Sequence, residues 1–133
     1  MTQEEKQLLL KDLSSRLPYG VKCRASYNKF PTTLVDVNVD TNVGDDLFIA
    51  TVKLEKTGLN RPSIIEDIKP YLRPMSSMTE EEADEYDSLN AYESGVFPHT
   101  EEAFDWLNKN HFDYRGLIEM GLAIEAPEEM YKN

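Results

Sequence analysis

The apolar positions of this chain change period along its length, and each change predicts an element. Leu9, Leu10, Leu13 and Leu17, widened by Leu8, recur near every 3.6 residues and predict an N-terminal helix. Thr2 with Glu5 three residues later forms a capping-box pattern at its start, and Pro18-Tyr19-Gly20 stops it. From Val21 to Tyr27 apolar and polar residues alternate, which predicts a strand with Lys22 and Arg24 on its wet face. Val35, Val37 and Val39 alternate with Asp36, Asn38 and Asp40 in the same way. Val43 to Asp46 then offers a turn, and Leu47 to Leu54 predicts a third strand. Short connections between these segments favour antiparallel pairing.

Beyond the Lys56–Pro62 loop the signals are shorter. Ser63 with Glu66 is a second capping-box pattern that Pro70 limits to about two turns, and a fourth strand competes with it. Pro70 and Pro74 make Tyr71-Leu72-Arg73 read as a stiff extended connector. Thr79 with Glu82 opens a helix to about Asn90 with a thin stripe of Ala83, Tyr86 and Leu89, and Gly95 and Pro98 break the chain. Thr100 caps a further helix carrying Ala103, Phe104 and Leu107, a spacing that points Phe104 inward and leaves Trp106 at a margin. Asp113 is expected to cap a last short helix ending near Gly121, and Leu122 to Ala126 to return as an edge strand. The expected fold is one α+β domain over residues 1–133. It has an N-terminal helix, a small antiparallel sheet of three to five strands that could curl in SH3-like fashion, and a mainly helical C-terminal part.

Charge divides the chain where the pattern does. The 133 residues carry a net charge of −11. Residues 1–75 are near neutral, with 10 acids and 11 bases, whereas residues 76–133 hold 15 acids and three bases, Lys109, Arg115 and Lys132. Ten acids and no base lie between Thr79 and Asp105. Binding to a phosphate backbone depends on clustered Lys and Arg, so the net charge argues against direct nucleic-acid binding. The few bases of the rear portion are expected to be occupied: Arg73 can pair with the acidic part, and Arg115 with a nearby carboxylate. No run approaches 18 apolar residues and the start has no apolar signal core, which predicts neither a membrane span nor a secretory leader, and a cytoplasmic protein.

Candidate chemistry is sparse. The lone Cys23 excludes an internal disulfide, and in a strand its neighbours Lys22 and Arg24 point away from it, so it reads as a core residue. Asp36-x-Asn38-x-Asp40 resembles a calcium loop, but Thr41 stands where that loop needs Gly and Leu47 where it needs Glu. His99 and His111 are 12 residues apart and lack ligand spacing. Neither a nucleophile elbow nor a Gly-rich phosphate loop is found. The expectation is a non-enzymatic protein–protein interaction module with no cofactor and no metal. Its candidate binding surface is Tyr86, Tyr92, Trp106, Glu81 and Asp84, aromatics and acids of the kind that anchor and steer interfaces. Two alternatives stay open: an acidic nucleic-acid mimic that occupies a DNA- or RNA-binding protein, and a small metal-dependent hydrolase using carboxylates with His99 or His111.

Four stretches carry a resemblance: Glu4 to Lys22 (EEKQLLLKDLSSRLPYGVK), Ile68 to Glu82 (IKPYLRPMSSMTEEE), Phe112 to Ile118 (FDYRGLI) and Gly121 to Tyr131 (GLAIEAPEEMY). Together they resemble a group of small proteins from gut anaerobic bacteria, their prophages and phages. The resemblance spans roughly half the chain, fading between Ser26 and Asn60, and brings no catalytic residue with it. It implies an intracellular accessory protein of a mobile element.

Overall fold

A computed structural model describes residues 1–41, 47–90 and 101–131. The expected turn at Val43 to Asp46, the Gly95–Pro98 break, the Thr100 cap, Tyr92 and His99 lie outside the described residues.

Helix α1 (Gln3–Arg16) starts with the anticipated box: Glu5 N donates to Thr2 Oγ1 at 3.1 Å and Thr2 N donates to Glu5 Oε1 at 2.8 Å. It buries Leu9 and Leu13 against the sheet. Strands β1 (Lys22–Ala25), β2 (Asn28–Asp40), β3 (Leu47–Leu54), β4 (Asn60–Ile64) and β5 (Ile68–Pro74) pair antiparallel in the spatial order β4-β3-β2-β1-β5. Their inward side chains, among them Cys23, Ala25, Leu34, Ala50, Val52, Ile68 and Leu72, form the main core with α1. The chain enters β5 through a 3-10 turn, Ile65–Asp67, and Ser26 N donates to Asp67 O at 2.9 Å. No two-turn helix forms after Ser63, because that hydroxyl is committed to the Tyr27 hydroxyl at 2.6 Å and the segment reads as β4.

Two strand expectations change. Val35 sits at a bulge in β2, where the pairing register shifts between Leu34 and Asp36. The extra residue turns Val35 outward and makes Leu34 the buried position. Tyr71-Leu72-Arg73 is not a connector but the middle of β5.

The sheet is also larger than three to five strands and not wholly antiparallel. Seven strands are found among the described residues, since β6 (Phe112–Asp113) and β7 (Ile124–Glu125) each pair with β5 in parallel. Arg73 N donates to His111 O at 2.7 Å, and Ala126 N donates to Leu72 O at 2.8 Å. Successive strand residues direct their backbone groups to opposite edges, so β6 and β7 flank β5 on its two sides.

The C-terminal part is therefore not mainly helical. It contains α2 (Glu80–Asn90) and α3 (Glu101–Lys109), after which turns and two short strands take over. The helix expected from Asp113 fails for a local reason. Both Asp113 carboxylate oxygens accept backbone amides, from Leu117 N and Ile118 N at 2.9 Å each, and Gly116 adopts φ +75°. This captures the chain as a tight turn, a competition that short acidic side chains commonly win against a helix. A second small core of Trp106, Leu107 and Phe112 lies between α3 and β6, with Met75, Met78, Tyr86 and Leu89 packed on it. Among the described residues, no helix is long and apolar enough to cross a membrane.

Candidate interaction surface

Arg73 joins the sheet to the acidic helices. Its Nη1 donates to Glu82 Oε2 at 2.8 Å and its Nη2 to Glu82 Oε1 at 2.7 Å, a bidentate pair of the strong charge-assisted kind. Glu82 also closes the capping box of α2: Thr79 N donates to Glu82 Oε1 at 3.0 Å, and Glu82 N to Thr79 Oγ1 at 3.1 Å. The Arg73 guanidinium foremost, with the Thr79 amide, lowers the Glu82 carboxyl to about 2 from the usual 4.5, against the opposing effect of burial. Arg73 further lies 4.1 Å from the Phe112 ring centroid. Phe112 stacks on Trp106 at 5.6 Å and Trp106 on Tyr86 at 5.7 Å. These contacts hold α2 and α3 against the end of β5.

The sequence-selected residues divide accordingly. Tyr86 is half-buried and Trp106 only 9% exposed, so both support the helical pair from beneath and do not lie on its surface. Phe104, expected inside, is exposed and tilts against Tyr114 at 5.4 Å. Glu81 and Asp84 are exposed, together with Glu80, Glu85 and Asp87 of α2 and Glu101, Glu102 and Asp105 of α3. Helix α2 contains no base and α3 only Lys109 at its end. The packing of Tyr86 on Trp106 places the two acidic helices side by side. Tyr92 falls outside the described residues.

At the foot of this pair is an open cleft of about 660 Å³ between the end of β5, the first turn of α2, Asn110 and the segment from Glu125 to Tyr131. Among the described residues its lining carries three carboxylates, Glu82, Glu125 and Glu128, and one cation, Arg73, whose guanidinium is already engaged by Glu82. The cleft thus presents acid, hydroxyl and amide groups to an incoming molecule.

Two arrangements that position this surface escaped the sequence reading. The first is a buried charge network. Asp12 and Arg16 are both 0% exposed. Arg16 Nε and Nη2 donate to the Asp12 carboxylate at 2.8 and 3.0 Å, and Arg16 Nη2 also donates to Phe112 O at 2.7 Å. Arg115 Nη1 donates to Asp12 Oδ1 at 2.7 Å. Arg115 therefore has its expected carboxylate, supplied by α1, more than a hundred residues away in the chain. The i,i+4 spacing of Asp12 and Arg16 was visible, but such a pair ordinarily reads as a solvated helix face.

The second is Tyr131. Lys22 N donates to its hydroxyl at 2.9 Å, and that hydroxyl donates to Tyr71 O at 2.7 Å. The β1–β5 register, Arg24 opposite Lys69, would bring Lys22 opposite Tyr71. The phenol is inserted where the next ladder bond would form, and its ring stacks on His111 at 3.8 Å. His111 has φ +65°, is buried, and is held down to about 4 by burial foremost and then by Arg16 and Arg73. No sequence signal marks Tyr131 for this position.

The other candidate chemistry has little support in the geometry. Cys23 is fully buried, and burial, with Asp12 nearby, pushes its thiol far up, so it is not poised as a nucleophile. Among the described residues, no three His, Cys, Asp or Glu side chains converge as a metal site. Comparison of the chain with protein-family models, with curated proteins and with solved structures finds no match.

Proposed function

We propose that the protein is a binding module for a basic partner protein, with the paired helices α2 and α3 as its recognition face and the adjoining cleft as a receptor for a lysine or arginine side chain. One observation carries this reading. The exposed carboxylates of α2 and α3 stand side by side, and at their foot opens a cleft whose only described cation, Arg73, is already neutralised. Such a surface attracts cations from a distance and gains most where a partner's charge enters a partly desolvated recess. Tyr86 and Trp106 hold the face rigid, which lowers the ordering cost of binding. A basic groove that ordinarily holds nucleic acid is one form such a partner takes, and the exposed acids along α2 favour that version.

We further infer that the meander β1–β5, entered at its last strand through a 3-10 turn and curled until Tyr27 reaches Ser63, is an SH3-like sheet. We also place the protein in a bacterial cytoplasm as an accessory of a mobile element, which the four resembling stretches support.

Calorimetric titration with a Lys/Arg-rich peptide at physiological salt tests the main reading. Saturable binding is expected, weakened at least about ten-fold by Glu81→Lys with Asp84→Lys, since reversing close charges costs more than 1.4 kcal/mol. Equal affinity of the wild type and the reversed variant would refute it. If the partner is a nucleic-acid-binding protein, the chain should also release DNA from it in a salt-sensitive way.

A further inference from the structure

The opposite end of the sheet has the opposite sign. The β1–β2 and β3–β4 turns lie at one end of the meander, because Ala25 pairs with Asn28 while Thr32 pairs with Leu54 and Lys53 with Asn60. Lys29, Lys56 and Arg61 meet there, all exposed. None of them makes an ion pair among the described residues, although the chain has 25 acids to 14 bases. They sit instead over aromatic rings. Lys56 Nζ is 4.2 Å and Lys29 Nζ 5.4 Å from the Phe30 centroid, and the Arg61 guanidinium is 3.6 Å from that of Tyr27. Phe30 is itself 37% exposed, and Leu59 on the β3–β4 turn is 66% exposed. The acids Asp36 and Asp40 occupy the far half of β2, whereas Glu55, next to Lys56 on the turn, is held by Lys22 at 3.1 Å, and Asp67 lies beside Ser26 of the β1–β2 turn.

We propose that this end of the sheet binds single-stranded nucleic acid, with the three cations meeting phosphates and Phe30 stacking on a base. An exposed ring among unpaired cations is the combination such strands use, because every base offers a stacking face and every nucleotide a phosphate. The net charge of −11 argues the other way only as an average over the molecule. At physiological salt the screening length is about 8 Å, so acids on α2 beyond that distance act weakly at this end. The ring also favours a nucleotide over an acidic protein segment, for which cations alone would serve.

Fluorescence anisotropy of a labelled oligothymidylate of about ten nucleotides, titrated with the full chain, tests this. Three phosphate contacts predict a slope of log affinity against log salt of about −2, hence on the order of 20-fold weaker binding at 200 mM than at 50 mM. Lys29→Gln with Lys56→Gln should reduce the slope to about −0.7, and Phe30→Leu should weaken binding at least about five-fold. Lys11→Gln on α1 should do neither. The two lysine substitutions, on exposed side chains, remain informative if Phe30→Leu unfolds. The proposal is overturned by absence of binding at 50 mM salt, or by binding indifferent to these substitutions. Salt-sensitive self-association without oligonucleotide binding, removed by the same lysine substitutions, would also overturn it and would give the patch to the acidic helices of a second copy.

Discussion

Replacing Asp12 by alanine removes the only described counter-charge of a buried network. Asp12 accepts three hydrogen bonds, two from Arg16 and one from Arg115. Without it, the Arg16 guanidinium remains fully buried and retains the Phe112 carbonyl as its only described hydrogen-bond acceptor, with the Tyr114 ring 5.5 Å away and Nη1 already lacking a partner. The Arg115 side chain, 15% exposed, can turn toward water, so most of the cost falls on Arg16. Breaking a buried pair on one side costs about 3–5 kcal/mol, against a total stability of roughly 5–15 kcal/mol for a domain. For a chain of this size that corresponds to a fall in Tm of roughly 10–20 °C. The double variant Asp12→Leu with Arg16→Met should recover most of it, because an apolar pair of similar volume avoids burying charge at all. Urea denaturation followed by fluorescence of Trp106, the only tryptophan, measures both. A cost below about 1 kcal/mol for Asp12→Ala would show that the network does not join α1 to the C-terminal segment.

Two further perturbations probe the supports of the cleft. Tyr131→Phe keeps the ring on His111 but leaves the Lys22 amide and the Tyr71 carbonyl without their bridge. It should cost about 1–3 kcal/mol in urea denaturation, and no loss would mean that β1 and β5 close the gap by pairing directly. His111 is neutral in the fold, with a pKa of about 4 against 6.5 when unfolded, so the unfolded chain takes up its proton first as the pH falls. This contribution is intact above pH 6.5 and lost progressively down to pH 4, an effect of about 3 kcal/mol. His111→Asn, which tolerates the positive φ, should flatten the pH dependence of stability across that window, and an unchanged slope would assign it to other groups.

What was legible in the sequence was local. The Thr2–Glu5 and Thr79–Glu82 boxes form as their spacing predicts, because both partners lie within one helical turn and need nothing else. Arg73 found an acid because the rear of the chain offers little else. The misreadings involve distant partners. Strict alternation points Val35 inward because a bulge leaves no mark in the sequence pattern. Tyr71 to Arg73 reads as a connector because its two flanking prolines hide the pairing that β6 and β7 impose from elsewhere. Phe104 lies outside, and Trp106 deeper than the margin the helix pattern gives it, for the same reason: β6, and not the helix pattern alone, decides which face of α3 is covered. Of the candidate surface, the acids were readable from composition, whereas the cleft depends on Tyr131 and Asn110 arriving from far along the chain.

Chemical-shift mapping of the isotopically labelled protein with a Lys/Arg-rich peptide tests the proposed recognition face most directly. The shifts should concentrate on exposed positions of α2 and α3 and on the cleft residues Thr79, Glu82 and Glu125, and should disappear in the Glu81→Lys, Asp84→Lys variant. Shifts spread evenly over the surface, or confined to the strands, would contradict it.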